Sequence, residues 1–258
     1  MAHLGDLSGR RVLVTGAGQG VGLAIAGAFA ATGAHVLVND LDPGRAASAV
    51  EQLAASGGAA TASAFDVTDA DAVDAAVTEA GHVDVLVNNA GNAGADGFGV
   101  RGPFAESDAR DWEPFVRVNL YGPMHCSRAV LPGMVRAGWG RLITIVSDAA
   151  RNGDPGNAAY SAAKAGAAGL TRALARENGR FGITANNISL GTMRTPATEA
   201  VWADPDGDVA RRILRSYAIR RPGEPDDAGA LAVFLAGDHG SWITGQTLPL
   251  NGGYSFAL

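Results

Sequence analysis

The sequence predicts an α/β protein, a doubly wound parallel sheet in a single domain, and three observations predict it. Short apolar runs alternate with helical patterns along all 258 residues. The runs are apolar at consecutive positions, as strands buried on both faces require. A glycine-rich turn, Thr15-Gly16-Ala17-Gly18-Gln19-Gly20-Val21-Gly22, links the first run to the first helical pattern. A parallel sheet covered by helices on both sides satisfies all three, and a chain of this length can bury one large core.

Each element has its own signal. Val12-Leu13-Val14 is the first strand, and Val21 to Ala31 is the first helix, closed by Gly33. His35 to Val38 is the second strand, ending in Asn39-Asp40, and Pro43 to Ala55 reads as the second helix. Further strands are expected at Ala60–Phe65, Val83–Val87, Arg141–Val146, Thr184–Ile188 and Thr247–Leu250. Thr68-Asp69, Ser107-Asp108 and Pro225-Asp226 signal helix starts between them. No linker or heptad pattern divides the chain, so residues 1–258 form one Rossmann-type domain with its ligand at the carboxyl ends of the strands.

Composition removes several classes of function. A net charge of −6 argues against nucleic acid or an anionic membrane surface as main partner. No segment approaches the roughly 20 apolar residues of a membrane span, and no apolar stretch precedes the first strand, so a cytoplasmic location is expected. Cys126 is the single cysteine, which excludes an intrachain disulfide. The five histidines (His3, His35, His82, His125, His239) lack metal-ligand spacing, so no metal is expected. His125 and Cys126 are adjacent, and neighbours on a helix point apart, so both read as structural.

The glycine turn carries the first chemistry. Gly16 permits the tight turn, Gly20 lets backbone approach a pyrophosphate, and Gly22 allows close helix–strand packing, with Gln19 and Val21 beside them. Phosphates would face free N–H groups at the helix start, where the helix dipole favours negative charge. Asp40, 18 residues after Gly22, can accept hydrogen bonds from adenosine ribose hydroxyls and would repel a 2′-phosphate. Its expected neighbours Gln19 and Leu41 bring no positive charge, so NAD is favoured over NADP. A capping role for Asp40 before Pro43 is compatible with this. Asp66-Val67, at the end of the third strand, suits an adenine edge, although aspartates at strand ends also cap helices.

Ser147 ends an apolar strand, and Tyr160-Ser161-Ala162-Ala163-Lys164 lies in an alanine-rich stretch of strong helix propensity. A spacing of four puts Tyr160 and Lys164 on one helical face, one turn apart. A free tyrosine titrates near about 10, too high for acid–base work at neutral pH. A nearby ammonium stabilises the phenolate, and the charge of an oxidised nicotinamide acts in the same direction. Ser147 could hydrogen-bond the substrate oxygen and hold it beside Tyr160.

These residues resemble the short-chain dehydrogenase/reductase family, in its single-domain branch of about 250 residues, from roughly Leu7 to Gly253. The matching stretches are Thr15–Gly22, Asp66-Val67, Asn88-Asn89-Ala90-Gly91, Asn119, Ser147, Tyr160–Lys164, Gly191–Thr195 and Ile243-Thr244-Gly245-Gln246. The resemblance implies a catalytic tetrad of Asn119, Ser147, Tyr160 and Lys164, with Asn119 holding a water that links Lys164 to solvent. It implies Asn88 beside the adenosine ribose, Thr195 on the nicotinamide carboxamide, and Tyr160 and Lys164 against the cofactor. It also implies a homotetramer, with the Arg110–Ala137 and Asn157–Gly179 helices pairing across one interface and Ile243–Leu258 across another. Tyr254, Phe256 and Leu258 at the chain end fit burial there. The Ser147-Asp148-Ala149-Ala150-Arg151 stretch is similar to members acting on cyclic or acyl-thioester-linked alcohols.

Two departures from the family stand out. Leu190 occupies the place of a usual proline before Gly191, and losing proline's fixed φ loosens the nicotinamide end of the site. The glycine-rich segment from Asn92 to Phe104 is longer than usual and flanks the pocket, as a structural loop or a substrate contact. Between Thr195 and Arg221, Trp202, Ile213, Leu214 and Tyr217 surround an acidic break, Asp204-Pro205-Asp206-Gly207-Asp208. That pattern predicts two short helices forming a substrate lid. The expected activity is NAD-dependent interconversion of a secondary alcohol and a ketone on a hydrophobic substrate. An NADP-preferring ketone reductase is the alternative within the family. A non-catalytic cofactor sensor leaves Ser147, Tyr160 and Lys164 without a reason.

Overall fold

The computed structural model describes residues 5–91 and 102–256. Seven strands form one sheet in the order β3-β2-β1-β4-β5-β6-β7, with every pairing parallel. They are β1 Arg11–Val14, β2 His35–Val38, β3 Ala59–Ala62, β4 Val85–Asn88, β5 Gly140–Ser147, β6 Ile183–Leu190 and β7 Thr247–Leu250. The order turns back on itself between β1 and β4, and that switch point opens a crevice at the carboxyl ends of the strands.

Ten α-helices cover the faces among the described residues. α1 Gly20–Ala30 and α10 Pro225–Ala236 lie against one face, where Val12, Val14, Ile25, Phe29 and Leu235 are buried together. A Cβ at Gly229 would lie 2.8 Å from the Ala28 Cβ, so glycine lets α10 approach α1 closely. α3 Ala70–Ala80 and α5 Gly122–Ala137 cover the opposite face over Leu13, Leu86, Met134 and Leu142. Each large side chain buried this way contributes about 1.5–3 kcal/mol. α2 Pro43–Ala55 and α3 start at caps the sequence can be read for. Asp42 accepts from the Gly44 and Arg45 N–H groups, and Asp69 from those of Asp71 and Ala72.

The third strand is shorter than expected, ending at Ala62 instead of Phe65. Asn39 explains this: its amide donates to the carbonyls of Ser63 and Phe65 and draws the backbone out of the ladder. β2 and β7 keep their expected bounds, and the boundaries of the other strands move by at most two residues. The remaining helices are α4 Ala109–Val116, α6 Ala149–Asn152, α7 Ala158–Asn178, α8 Glu199–Trp202 and α9 Asp208–Arg215. Asp108 caps α4, reciprocated by Asp111. α4 does not run straight into α5: residues Arg117–Tyr121 form a π-helical turn. α8 and α9 flank the 203–207 break as the acidic pattern predicts. The segment from Asn92 to Phe104 lies outside the described residues up to Arg101.

At the amino end of the sheet, the guanidiniums of Arg10 and Arg141 lie over the Trp139 ring, 3.8 and 4.2 Å from its centroid. That end is closed by packing. The carboxyl end is where the chemistry-bearing residues gather.

Candidate active site

The glycine turn bridges β1 and α1 at the switch point. Gly16 and Gly20 have φ of +63° and +57°, a conformation that disfavours any side chain. A Cβ on Gly22 would stand 2.2 Å from the Gly16 carbonyl oxygen, so α1 can pack on its own strand only with glycine there. Gln19 gives α1 no side-chain cap, and no acidic residue lies in its first turn. The helix therefore presents its N–H groups open, in contrast to capped α2 and α3. A Cβ on Gly20 would face the Thr195 methyl group at 3.6 Å, which places Thr195 directly across from the turn. These features form a cradle that fits a pyrophosphate-linked dinucleotide.

Two residues of the matching stretches that had been given no role of their own hold the cradle. The Thr15 hydroxyl accepts from the Asn89 and Ala90 N–H groups, both at 3.0 Å. Asn89 in turn donates to the carbonyls of Thr15 and Gly16 at 2.9 and 3.0 Å. The ends of β1 and β4 are thus stitched together at the switch point. Asn88, expected beside a ribose, is 3% exposed, and its amide donates to Ser127 on α5. Its side chain is committed to the interior.

Asp40 is buried at 5% exposure, and its Oδ2 accepts the Gly18 N–H at 3.1 Å. Glycine at 18 is what admits the carboxylate, because a Cβ there would lie 2.5 Å from Oδ2. Asp42 caps α2, so Asp40 is free of that duty. The expectation of no positive charge nearby is corrected here. Arg45, in the first turn of α2, donates to Asp40 Oδ1 through Nε at 3.0 Å and Nη2 at 2.8 Å. The hydrogen bond with Asp40 raises the arginine pKa further. Gln19 and Leu41 were the expected neighbours, and the cation comes instead from the first turn of α2. At the third strand's end, Asp66 accepts the Thr68 N–H at 2.8 Å, while the buried Val67 packs at Gly122 and its carbonyl meets His125.

Tyr160 and Lys164 both lie on α7, as their spacing requires. Lys164 is 5% exposed, and its ammonium donates to the Ile145 carbonyl on β5 at 2.8 Å, two residues before Ser147. Burial lowers its pKa to about 8, which leaves it a cation at neutral pH. The ammonium lies 5.9 Å from the Tyr160 ring centroid. Ser147 ends β5, and its Oγ accepts the Ala149 N–H at 3.2 Å.

Asn119 occupies the middle of the π turn, is fully buried, and donates to the Phe115 carbonyl at 3.0 Å. The Phe115 ring meets Tyr160 edge-on at 6.2 Å. Asn119 Oδ1 and Lys164 Nζ each lie 3.0 Å from the point a Cβ on Gly91 would occupy, so glycine keeps the space between them open. A lone asparagine in an apolar helix is, apart from the resemblance, a sign only of a helix irregularity. The irregularity is real, and π turns mark functional positions.

Leu190, expected to loosen the nicotinamide end, closes β6 in register with Ser147 on one side and Leu250 on the other. The ladder holds the segment without a proline. Trp202 is buried with its indole N–H toward the Met193 carbonyl, and the Tyr217 hydroxyl accepts the Thr192 N–H at 2.7 Å. Cys126 is fully buried, its thiol pushed up to about 12 by desolvation, while His125 contacts the Val67 carbonyl. Among the described residues no cluster of ligating side chains could hold a metal ion.

The chain is similar to many known proteins over nearly its whole length. A family model described as enoyl-(acyl carrier protein) reductase matches residues 16–255. D-threitol dehydrogenase of Mycolicibacterium smegmatis is 36% identical over 253 residues, 96% of this chain and 94% of that one. The 7alpha-hydroxysteroid dehydrogenase of Escherichia coli is 35% identical over 251 residues, with the same coverage. Among solved structures, gluconate 5-dehydrogenase from Burkholderia cenocepacia in complex with NADP and tartrate superimposes with TM-score 0.89 at 32% identity, covering 99% of both chains. A 3-oxoacyl-[acyl-carrier protein] reductase with bound NAD from Brucella melitensis gives TM-score 0.89 at 33% identity, covering 97% and 93%. With fold, cradle and likeness in agreement, the chain belongs to the short-chain dehydrogenase/reductase family and is an NAD(P)-dependent oxidoreductase.

Proposed function

We propose that the protein interconverts a secondary alcohol and a ketone, with Asn119, Ser147, Tyr160 and Lys164 as its catalytic set. The observation that carries this reading is the buried Lys164 ammonium, 5.9 Å from the Tyr160 ring and beside Asn119 at Gly91. A nicotinamide dinucleotide held at the glycine turn and Thr195 would supply the hydride chemistry. In the oxidative direction the Tyr160 phenolate takes the hydroxyl proton of the substrate, and Ser147 orients the substrate oxygen. Lys164 favours the phenolate by its charge. Asn119 holds a water through which Lys164 exchanges protons with solvent. The four-residue spacing of Tyr160 and Lys164 favours carbonyl over enoyl reduction, whose branch spaces the pair more widely.

NAD is the preferred cofactor in this reading, because Asp40 lies where ribose hydroxyls would be received. Gly16, Gln19, Gly20, Val21 and Gly22 hold the pyrophosphate, Asp66 and Val67 the adenine, and Thr195 the carboxamide. A backbone contact from Asn88 completes the ribose end. A second reading, NADP preference, is favoured by Arg45, whose side chain is 44% exposed beside Asp40. The substrate is hydrophobic, covered by residues 195–221 acting as a lid. The chain assembles as a homotetramer, supported by Trp242 at 97% exposure and Phe256 at 74%; light scattering giving a monomer mass at micromolar concentration overturns this. No helix among the described residues is long and apolar enough to cross a membrane, and the reading takes the protein to work in the cytoplasm.

Tyr160→Phe tests the chemistry. It removes the transferable proton and keeps the ring, so NAD binding persists and turnover falls at least about 100-fold. Nicotinamide absorbance with cyclic alcohols, hydroxysteroids and polyols reads both this loss and the substrate class. Near-normal turnover in the variant sinks the role given to Tyr160.

A further inference from the structure

The strand end that bears Ser147 and the C-terminal residues meet at one buried carboxylate. Asp148, next after Ser147, is 4% exposed. Its side chain accepts from neutral donors: the Ser189 hydroxyl at 2.7 Å on Oδ1, and the Asn251 amide and Ser255 hydroxyl on Oδ2, the latter at 3.0 Å. A carboxylate removed from water requires such donors. They come from β6, from the residue after β7, and from the last turn among the described residues. One side chain therefore fastens the carboxyl ends of three adjacent strands, where the substrate oxygen is handled.

The same tail grips both sides of the site. Arg151, in α6, donates to the Phe256 carbonyl. On the other side Ile219 donates its N–H to the Gly252 carbonyl at 2.8 Å, and Tyr254 meets the Tyr217 ring edge-on at 5.7 Å. Tyr217 is the residue that holds Thr192, so residues 251–256 form a strap from the serine turn to the wall that follows β6. The Ser147 hydroxyl is aimed by Ala149 N–H, in the turn whose middle residue is Asp148.

We propose that Asp148 is a positioning residue: through the C-terminal strap it fixes the Ser147 hydroxyl against substrate and ties that hydroxyl to the wall over residues 192–219. The inference rests on Ser147 orienting the substrate oxygen. It assigns to the tail a part in each turnover beyond its part in assembly.

A reciprocal exchange tests it. Asp148→Asn replaces one carboxylate oxygen by an NH2 donor and removes the charge toward which Ser189, Asn251 and Ser255 donate. It lowers kcat at least about tenfold per NAD-binding site and raises substrate KM, while the NAD Kd from titration calorimetry stays within about twofold. Asn251→Asp alone sets two carboxylates together and has a similar effect. The double variant Asp148→Asn/Asn251→Asp restores the donor–acceptor pair from the opposite ends and recovers kcat to within about threefold. A merely structural role lowers thermal stability and active-site number but leaves kcat per site unchanged, and that result overturns the proposal. So does the absence of rescue in a folded double variant. If Asp148→Asn does not fold, Ser255→Ala removes one strap bond to the same carboxylate; kcat about threefold lower at unchanged NAD Kd supports the link, and unchanged kcat overturns it. Ser147→Ala separates the two layers. Full turnover there sinks the reading of Ser147, whereas loss there with full turnover in Asp148→Asn sinks this inference alone.

Discussion

Around the glycine turn, backbone atoms set the geometry: Gly16 and Gly20 at positive φ, Gly22 against a carbonyl oxygen, and strand ends stitched by Thr15 and Asn89. Across the site, in residues 191–221, side chains set it. Trp202 and Tyr217 pin the segment after β6, and two helices of four and eight residues carry the rest. A backbone-built surface tolerates almost no change of residue. A side-chain-built one can be repacked, and it suits the half of a site that must differ between substrates. The named relatives, one a threitol and one a hydroxysteroid dehydrogenase, show how far substrates range across related chains.

Paired glycine substitutions give the comparison its severest test. Gly22→Ala drives a Cβ into the Gly16 carbonyl, an atom that can move only with the strand. NAD affinity is expected to fall at least about 100-fold, with a melting temperature lower by several degrees. Gly207→Ala, in the opposite wall, meets chiefly the Asp204 carboxylate at 2.8 Å, which is exposed and can turn aside. Its effect should stay below about 1 kcal/mol. Equal losses at the two positions break the distinction.

Lys164 lies between the two regions and is tested by pH. Its pKa is lowered to about 8 in the folded chain, from an ordinary 10.5. Below pH 8 both states carry the proton, and the folded one bears the desolvation cost. Between 8 and 10.5 the unfolded state binds more protons, so stability rises with pH. Urea unfolding without ligand should show a gain of up to about 2 kcal/mol between pH 8 and 9.5, absent in Lys164→Met. An identical profile in the variant means that burial costs this lysine nothing.

Cofactor choice comes next in size. Arg45→Ala removes the cation beside Asp40 and should widen the NAD-over-NADP ratio of kcat/KM about tenfold, whereas Asp40→Ala narrows it. An enzyme already faster with NADP overturns the NAD reading. The smallest effect belongs to the wall. Trp202→Ala should raise substrate KM about threefold, with less change for NAD, and hydrogen exchange over 197–216 should slow when cofactor and substrate bind. Exchange equally slow with and without ligands indicates a fixed wall.

This division also explains what could be read in the chain. The alternation of strands and helices, the caps at Asp69 and Asp108, and the break at 204–208 are local, and local chemistry decides them. The cradle was legible because glycine is the only residue its backbone admits. Arg45 was missed because its meeting with Asp40 depends on how α2 sets off from β2. Asp148 was missed because its partners lie about 40 and 100 residues away, and neither serine nor asparagine advertises a distant carboxylate. The turn of the Asn88 side chain toward Ser127 was not legible because a residue at a strand end gives no sign of which way its side chain points. The edge strand β3 was overextended because the side chain that stops it, Asn39, lies far away in sequence, just past the end of β2.

The π turn at Arg117–Tyr121 sets a limit on engineering. An α-helix advances about 100° per residue, so a turn that spends an extra residue is a phase offset between everything before it and everything after. Deleting one residue from 117–121 would give a smoother helix on paper. In the molecule it would rotate α4 by that angle against α7, swinging Phe115 off Tyr160. Substitutions chosen to regularise this helix therefore trade the Phe115–Tyr160 contact for propensity, and a stabilisation campaign should leave these five positions untouched.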